Sequence, residues 1–298
     1  NHRDHVAVQR YEANGDFDHS FGDGGSATLE LEGNARSVAL QSDGKIVTAI
    51  SHWTRPPGII RLNSDGSPDE SFGEDGVLIS DAAEMTFIVK ILIQPDGKLL
   101  IFGSHLETDP GPLDVAIMRR LPDGSRDSSF GSNGRVVHST LTVEGPTDAA
   151  VQRDGKIVVA SRGSMAYGSG YHSRLTRFNT DGSLDTGFAA VSTSFYGTQW
   201  KLKIQPDGKL VMAGSSLTEP GTYRATLIRL TENGWPDTGF GMNGVSFTAY
   251  GGGAADLLIQ PNGKILTLGG SGGYNAYEFW VSRTHGDPPL SVSGRVTT

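Results

Sequence analysis

The side chains best suited to chemistry in this sequence stand at one recurring position. Lys90, Asp148, Lys201 and Asp256 each lie four residues before a Gln, and Ser37 takes that place in a fifth copy. If the copies surround an axis, these positions ring one mouth of a central channel. Mixed Lys and Asp there would bind a polar ligand or supply an acid and a base. The plainer reading is hydrated ion pairs between neighbouring copies. It is preferred, because structural ion pairs also place charges in clefts.

The element that places these residues is the segment after them. Gln94-Pro95-Asp96-Gly97-Lys98 has close copies at 41–45, 152–156, 205–209 and 260–264. An apolar run flanks each copy on both sides, which is the pattern of strand, Asp-Gly turn and strand. The turn glycines are Gly44, Gly97, Gly155, Gly208 and Gly263. A recurrence of that length marks an array of supersecondary units.

A second unit alternates with the first and reads Arg-x-x-x-(Asp/Asn)-Gly-x-x-Asp-x-x-Phe. Its copies run from Arg10 to Phe21, Arg61 to Phe72, Arg119 to Phe130, Arg177 to Phe188 and Arg229 to Phe240. A degraded sixth copy stands near Arg283 and Gly286. Each full repeat then holds four short strands: a before the Gln, b after the turn, c carrying the Arg, and d after the Phe. No stretch keeps a helical period. The expectation is an all-β fold, a β-propeller of four-stranded antiparallel blades. Five a–b hairpins against six c strands favour six blades with the first incomplete in this chain, and a five-bladed ring is the alternative. We read residues 1–298 as a single propeller domain, with repeat units at about 1–50, 51–104, 105–161, 162–214, 215–270 and 271–298.

These two linked motifs, in fixed order through nearly the whole chain, resemble the delta-60 repeat, a bacterial β-propeller repeat of unassigned function. The similarity to NHL-type propeller repeats is weaker. The resemblance implies bacterial origin and export, to the extracellular space or cell surface. It carries no catalytic residues.

Composition narrows the partners. The formal net charge is −8, with no basic stripe, which argues against nucleic acid. No apolar run is long enough for a membrane-spanning helix, so membrane insertion is not expected. With no Cys, disulfides and Cys-ligated metals are excluded. None of the eight His has a metal-ligand spacing such as His-x-x-x-His. No metal or other cofactor is expected. Calcium is the competing reading for Asn63, Asp65, Ser67 and Asp69, which fall short of a full oxygen-ligand loop.

Residues constant in every repeat read as architecture. Each repeated Arg is expected to pair with the Asp eight residues on, as Arg119 with Asp127, or that Asp to cap the turn. Each Phe is expected to plug the core between blades. Function is sought where the repeats disagree, on the face formed by the b–c and d–a loops. Candidate binding residues there are Trp53, Arg55, His105, Tyr167, Tyr171, Trp200, Tyr223, Arg224, Tyr274 and Tyr277. The loops also hold His52, Glu32, Asp81 and Glu84. Aromatic and Arg residues at loop tips are typical of recognition surfaces. The leading expectation is therefore a non-enzymatic module that binds a protein or glycan through this face. The alternative is a carbohydrate-active lyase or hydrolase using the channel-mouth charges. The third reading is a structural repeat module of a larger surface protein.

Overall fold

The computed structural model describes all residues except 1–4, 53, 82–83, 107–112, 140–143, 165–170, 190–191, 194–199, 220–221, 274–275, 285–291 and 297–298. The described residues form strands and turns without a helix, and no helix among them could cross a membrane. The chain divides into two compact units, 1–139 and 140–298.

The first unit holds three antiparallel sheets. The first sheet pairs β1 (His5–Gln9) with β2 (Ser26–Glu32). The second runs in order through β3 (Asn34–Leu40), β4 (Ile46–Ser51), β5 (Gly58–Leu62) and β6 (Val77–Ile79). The third repeats this with β7 (Phe87–Ile93), β8 (Leu99–Leu106), β9 (Leu113–Arg120) and β10 (Arg135–His138).

The second unit holds three sheets of four strands in the same order. They are β11 (Glu144–Val151) to β14 (Ser192–Thr193), β15 (Lys201–Ile204) to β18 (Val245–Gly251), and β19 (Gly253–Ile259) to β22 (Val292–Val296). Strands a, b, c and d thus appear as expected, and the first sheet consists of a c and a d strand.

The apolar runs explain why the sheets stack. Strands β4 and β5 are buried along their whole length, because neighbouring sheets cover both of their faces. Val47, Ile59, Phe72, Met85, Ile91, Ile101 and Met118 form one core between the second and third sheets. Val158, Leu175, Trp200, Leu202, Met212 and Ile228 form its counterpart between the fourth and fifth.

The two sequence motifs meet at one end of the second to fifth sheets. In the a–b turn, Gln94 N–H donates to Lys98 O and Gly97 N–H to Gln94 O, at 2.8 and 2.9 Å. The lysine that follows this turn reaches the c–d turn: Lys45 Nζ is 2.6 Å from Asp69 Oδ2. Arg61 Nε donates to the same oxygen at 2.5 Å. The other oxygen, Oδ1, accepts the Ser71 amide and hydroxyl at 3.1 and 2.6 Å. The Arg61 guanidinium lies 4.4 Å from the Phe72 ring centroid and also donates to Pro122 O in the next sheet. The Phe72 ring in turn packs under Gly124. A Cβ there would come within 2.8 Å of the ring, and the φ of +91° also favours glycine. The expected ion pair and core plug are both present, and the cassette joins the second sheet to the third, as its counterpart at Arg177 joins the fourth to the fifth.

Candidate active site

Four of the five residues that stand four places before the Gln lie beside a β-bulge. In β3, β7, β11 and β19 the pairing register slips immediately before Ser37, Lys90, Asp148 and Asp256. A bulge adds an unpaired residue and bends the strand, which re-aims the next side chain. Asp148 uses this to join sheets. Its Oδ1 accepts the Ala149 amide at 2.9 Å and its Oδ2 the Leu202 amide of β15 at 2.8 Å. Ser37 Oγ accepts the Ile91 amide of β7 at 3.2 Å, the matching bond in the first unit. Asp148 is buried, with both carboxylate oxygens engaged, so it serves as a clamp between inner strands. Lys90 and Lys201 are half-buried, and Asp256 is exposed with its Oδ1 on the Leu257 amide at 2.8 Å.

The loop residues divide differently. Trp53, Tyr167 and Tyr274 lie outside the described residues, as do the side chains of Tyr171 and Tyr277. Tyr223 is 50% exposed. Arg224 is half-buried, donating to Thr248 O at 3.0 Å with its guanidinium 5.9 Å from the Phe247 centroid. His105 is half-buried at the end of β8.

Trp200 corrects the sequence reading. It is 0% exposed and belongs to the core between the fourth and fifth sheets, so it offers no face to a ligand. Gly214 makes room for it: a Cβ there would stand 2.6 Å from the indole. A glycine directly after the apolar run 210–213, in the interior of the strand Leu210–Glu219, was the available signal, since glycine in a strand interior often marks close approach by a neighbour.

A cleft of ≈ 180 Å³ opens on the loop face of the first unit, lined by Leu31, Glu32, Ile50, His52, Arg55, Pro56, Gly58 and Ile79. Glu32 ends β2, and His52 to Pro57 connect β4 to β5. Arg55 Nη2 stands 3.0 Å from Glu32 Oε2, with the arginine side chain 60% exposed. His52 Nδ1 accepts the Thr54 amide at 3.1 Å. An amide can only donate, so in the neutral ring the proton sits on Nε2. The cleft therefore gathers a carboxylate, an exposed guanidinium and an imidazole with a fixed tautomer.

Sequence reading placed Arg55 and His52 in one loop and Glu32 in another, without joining them. Glu32 and Arg55 meet only because the d strand of one sheet ends against the b–c connection of the next. In the second unit, at the turn ends of the fourth and fifth sheets, a cleft of ≈ 200 Å³ is lined by Gln152, Arg177, Asp207, Glu232 and other turn residues. Several of these belong to the repeated scaffold.

Comparison with known proteins bears out the repeat resemblance. Four stretches, 41–72, 94–130, 152–188 and 205–240, match the family described as a domain of unknown function (DUF5122) beta-propeller. No curated protein matches the sequence. Among solved structures, polysaccharide lyase Uly1 is similar with a TM-score of 0.55 and 10% identity, over 98% of this chain and 76% of that one. The GH93 α-L-arabinofuranosidase of Fusarium graminearum, in complex with arabinobiose, is similar with a TM-score of 0.55 and 12% identity, over 99% and 86%. At such identities the likeness establishes the all-β propeller fold. It also corrects the leading expectation of a non-enzymatic binding module, because these propellers are enzymes that act on carbohydrate.

Proposed function

We propose that this chain, with its four DUF5122 propeller repeats, is a carbohydrate-active enzyme, a lyase acting on a uronate-containing polysaccharide. The observation that carries the reading is the meeting of Glu32, Arg55 and His52 in the loop-face cleft. A polysaccharide lyase and an arabinofuranosidase with the same fold support the carbohydrate class. Hydrolysis of a glycoside by the common route needs two carboxyl groups flanking the bond. Glu32 is the one carboxylate among the described lining residues. β-Elimination instead needs a base, a hydrogen-bond donor for the leaving oxygen, and a cation on the substrate carboxylate.

Arg55 would hold that carboxylate and stabilise the enolate charge that develops on it, as fixed cations do best in a site poor in water. Glu32 would take the proton from C5. The C5–H electron pair then forms the C4=C5 double bond as the C4–O4 bond breaks. His52 Nε2–H would hydrogen-bond the departing O4, which takes its hydroxyl proton from a water molecule, and Glu32 would return the C5 proton to the hydroxide so formed. The cleft is smaller than the 300–1,000 Å³ usual for drug-sized ligands. Only the reacting unit would enter it, with the rest of the polymer across the loop face.

The test is incubation with uronate polysaccharides while following ultraviolet absorbance of the new double bond conjugated to the carboxylate. Absorbance that rises with chain cleavage is expected. New reducing ends without that absorbance would make the enzyme a hydrolase, and no cleavage of any uronate polymer would refute the proposal.

A further inference from the structure

The third sheet departs from the repeat at three neighbouring positions. In the second, fourth and fifth sheets, the residue after the conserved Arg is Leu62, Phe178 or Leu230, each fully or almost fully buried. Isolated bridges pair these with Pro68, Leu184 and Pro236. In the third sheet the same bridge joins Arg120 to Arg126. The first residue of strand d is Val77 or Val245 in the second and fifth sheets, and Arg135 here. Arg135 pairs with Met118, two residues from Arg120, so Arg135 and Arg120 are diagonal neighbours on one face of the sheet.

The counter-charge is incomplete. Glu84 Oε2 lies 2.8 Å from Arg120 Nη2, and Glu84 Oε1 pairs with Arg126 Nη2. Both oxygens of the buried carboxylate are then in use. Asp81, an exposed residue, is the other acid acting on Arg135. No hydrogen bond or ion pair joins the Arg135 guanidinium to a described residue, and its Nε is buried without a partner. A buried donor left unpaired is destabilising, and more so when it is charged. Burial lowers the pKa of both Arg120 and Arg135, Glu84 opposes this, and Arg126 adds to it.

We propose that Arg135, with Arg126 and Arg120 beside it, forms a binding site for a small oxyanion, a sulfate or a sugar carboxylate. An anion with two or more oxygens satisfies the free Arg135 donors and offsets the excess positive charge. Arginine suits this role because its planar fork matches such groups. The site is separate from the cleft at His52 and does not depend on that cleft's activity.

The experiment is calorimetric titration of the whole chain with sodium sulfate and, separately, with glucuronate, in a low-salt buffer. Saturable 1:1 binding is expected for at least one of them. The tighter ligand tells a tetrahedral from a planar occupant. Arg135→Gln should weaken it about tenfold or more, the loss of a charge-assisted bond. It should leave the melting temperature without ligand unchanged or raised, because no protein hydrogen bond is removed. His52→Gln should bind as the wild type does. Absence of saturable binding, or equal binding by wild type and Arg135→Gln, would overturn the site. Should Arg126→Gln, the second variant, fail to fold through loss of its Glu84 contact, Arg135→Gln alone decides.

Discussion

Arg119 Nε stands 2.8 Å from Oδ2 of Asp127, eight residues further along the chain. Lys98 Nζ approaches the same oxygen at 3.3 Å, and Asp127 Oδ1 accepts the Ser129 amide and hydroxyl at 3.1 and 2.6 Å. One carboxylate therefore ties the a–b turn, strand c and the c–d turn together. Asp127→Asn is expected to destabilise the protein by about 2 kcal/mol, the usual weight of hydrogen bonds to a charged group. The check is a thermal melt in calcium and in chelator. A loss equal in both fits the staple, whereas a loss confined to calcium would favour a metal at the turn.

The same carboxylate makes stability depend on acid. Burial raises the Asp127 pKa, but Ser129, Arg119 and Lys98 outweigh it and hold the value at about 2, against 3.8 ordinarily. Asp69 is depressed in the same direction, where Lys45, Ser71 and Arg61 outweigh burial. A carboxylate depressed in the folded state stabilises fully above its unfolded pKa, and that stability fades as pH falls through the folded value. Melting temperature should therefore drop between about pH 5 and pH 2. Asp127→Asn should flatten part of that slope, and an identical slope in the variant would contradict the linkage.

Trp200 and Tyr223 should respond in opposite ways. Trp200→Ala empties a core position and is expected to cost about 3–5 kcal/mol. Tyr223→Ala, at an exposed site, should stay within about 0.5 kcal/mol. Chemical denaturation of the two variants measures both.

At the loop-face cleft, Glu32→Gln should lower kcat on a uronate polymer by about 10²-fold or more, as removal of a general base does. Arg55→Ala should reduce both kcat and affinity, since the guanidinium meets the substrate carboxylate before and during the reaction. Melting temperatures should change little, because the Arg55 half of the Arg55–Glu32 pair is largely exposed and Glu32 is only half-buried. Unaltered kinetics in both variants would remove the cleft from the mechanism.

The strand–turn–strand units, their order and the paired Arg and Asp of the cassette were legible in the chain. They depend on local spacing, and each recurs several times, so Asp-Gly turns, apolar runs and the eight-residue Arg-to-Asp interval needed no long-range information. The sites were not legible in that way. Trp200 looked like a loop aromatic until Gly214 on the neighbouring strand admitted it to the core. Asp148 looked like one half of a hydrated ion pair with a neighbouring copy until the bulge before it turned the carboxylate onto the Leu202 amide. Glu32 and Arg55 became partners only when one sheet's last strand met the next sheet's b–c connection. The sequence by itself determined the repeated scaffold, because its instructions are short-range. Packing between sheets alone decided which charges are clamps and which remain open, because those contacts join residues the chain keeps far apart.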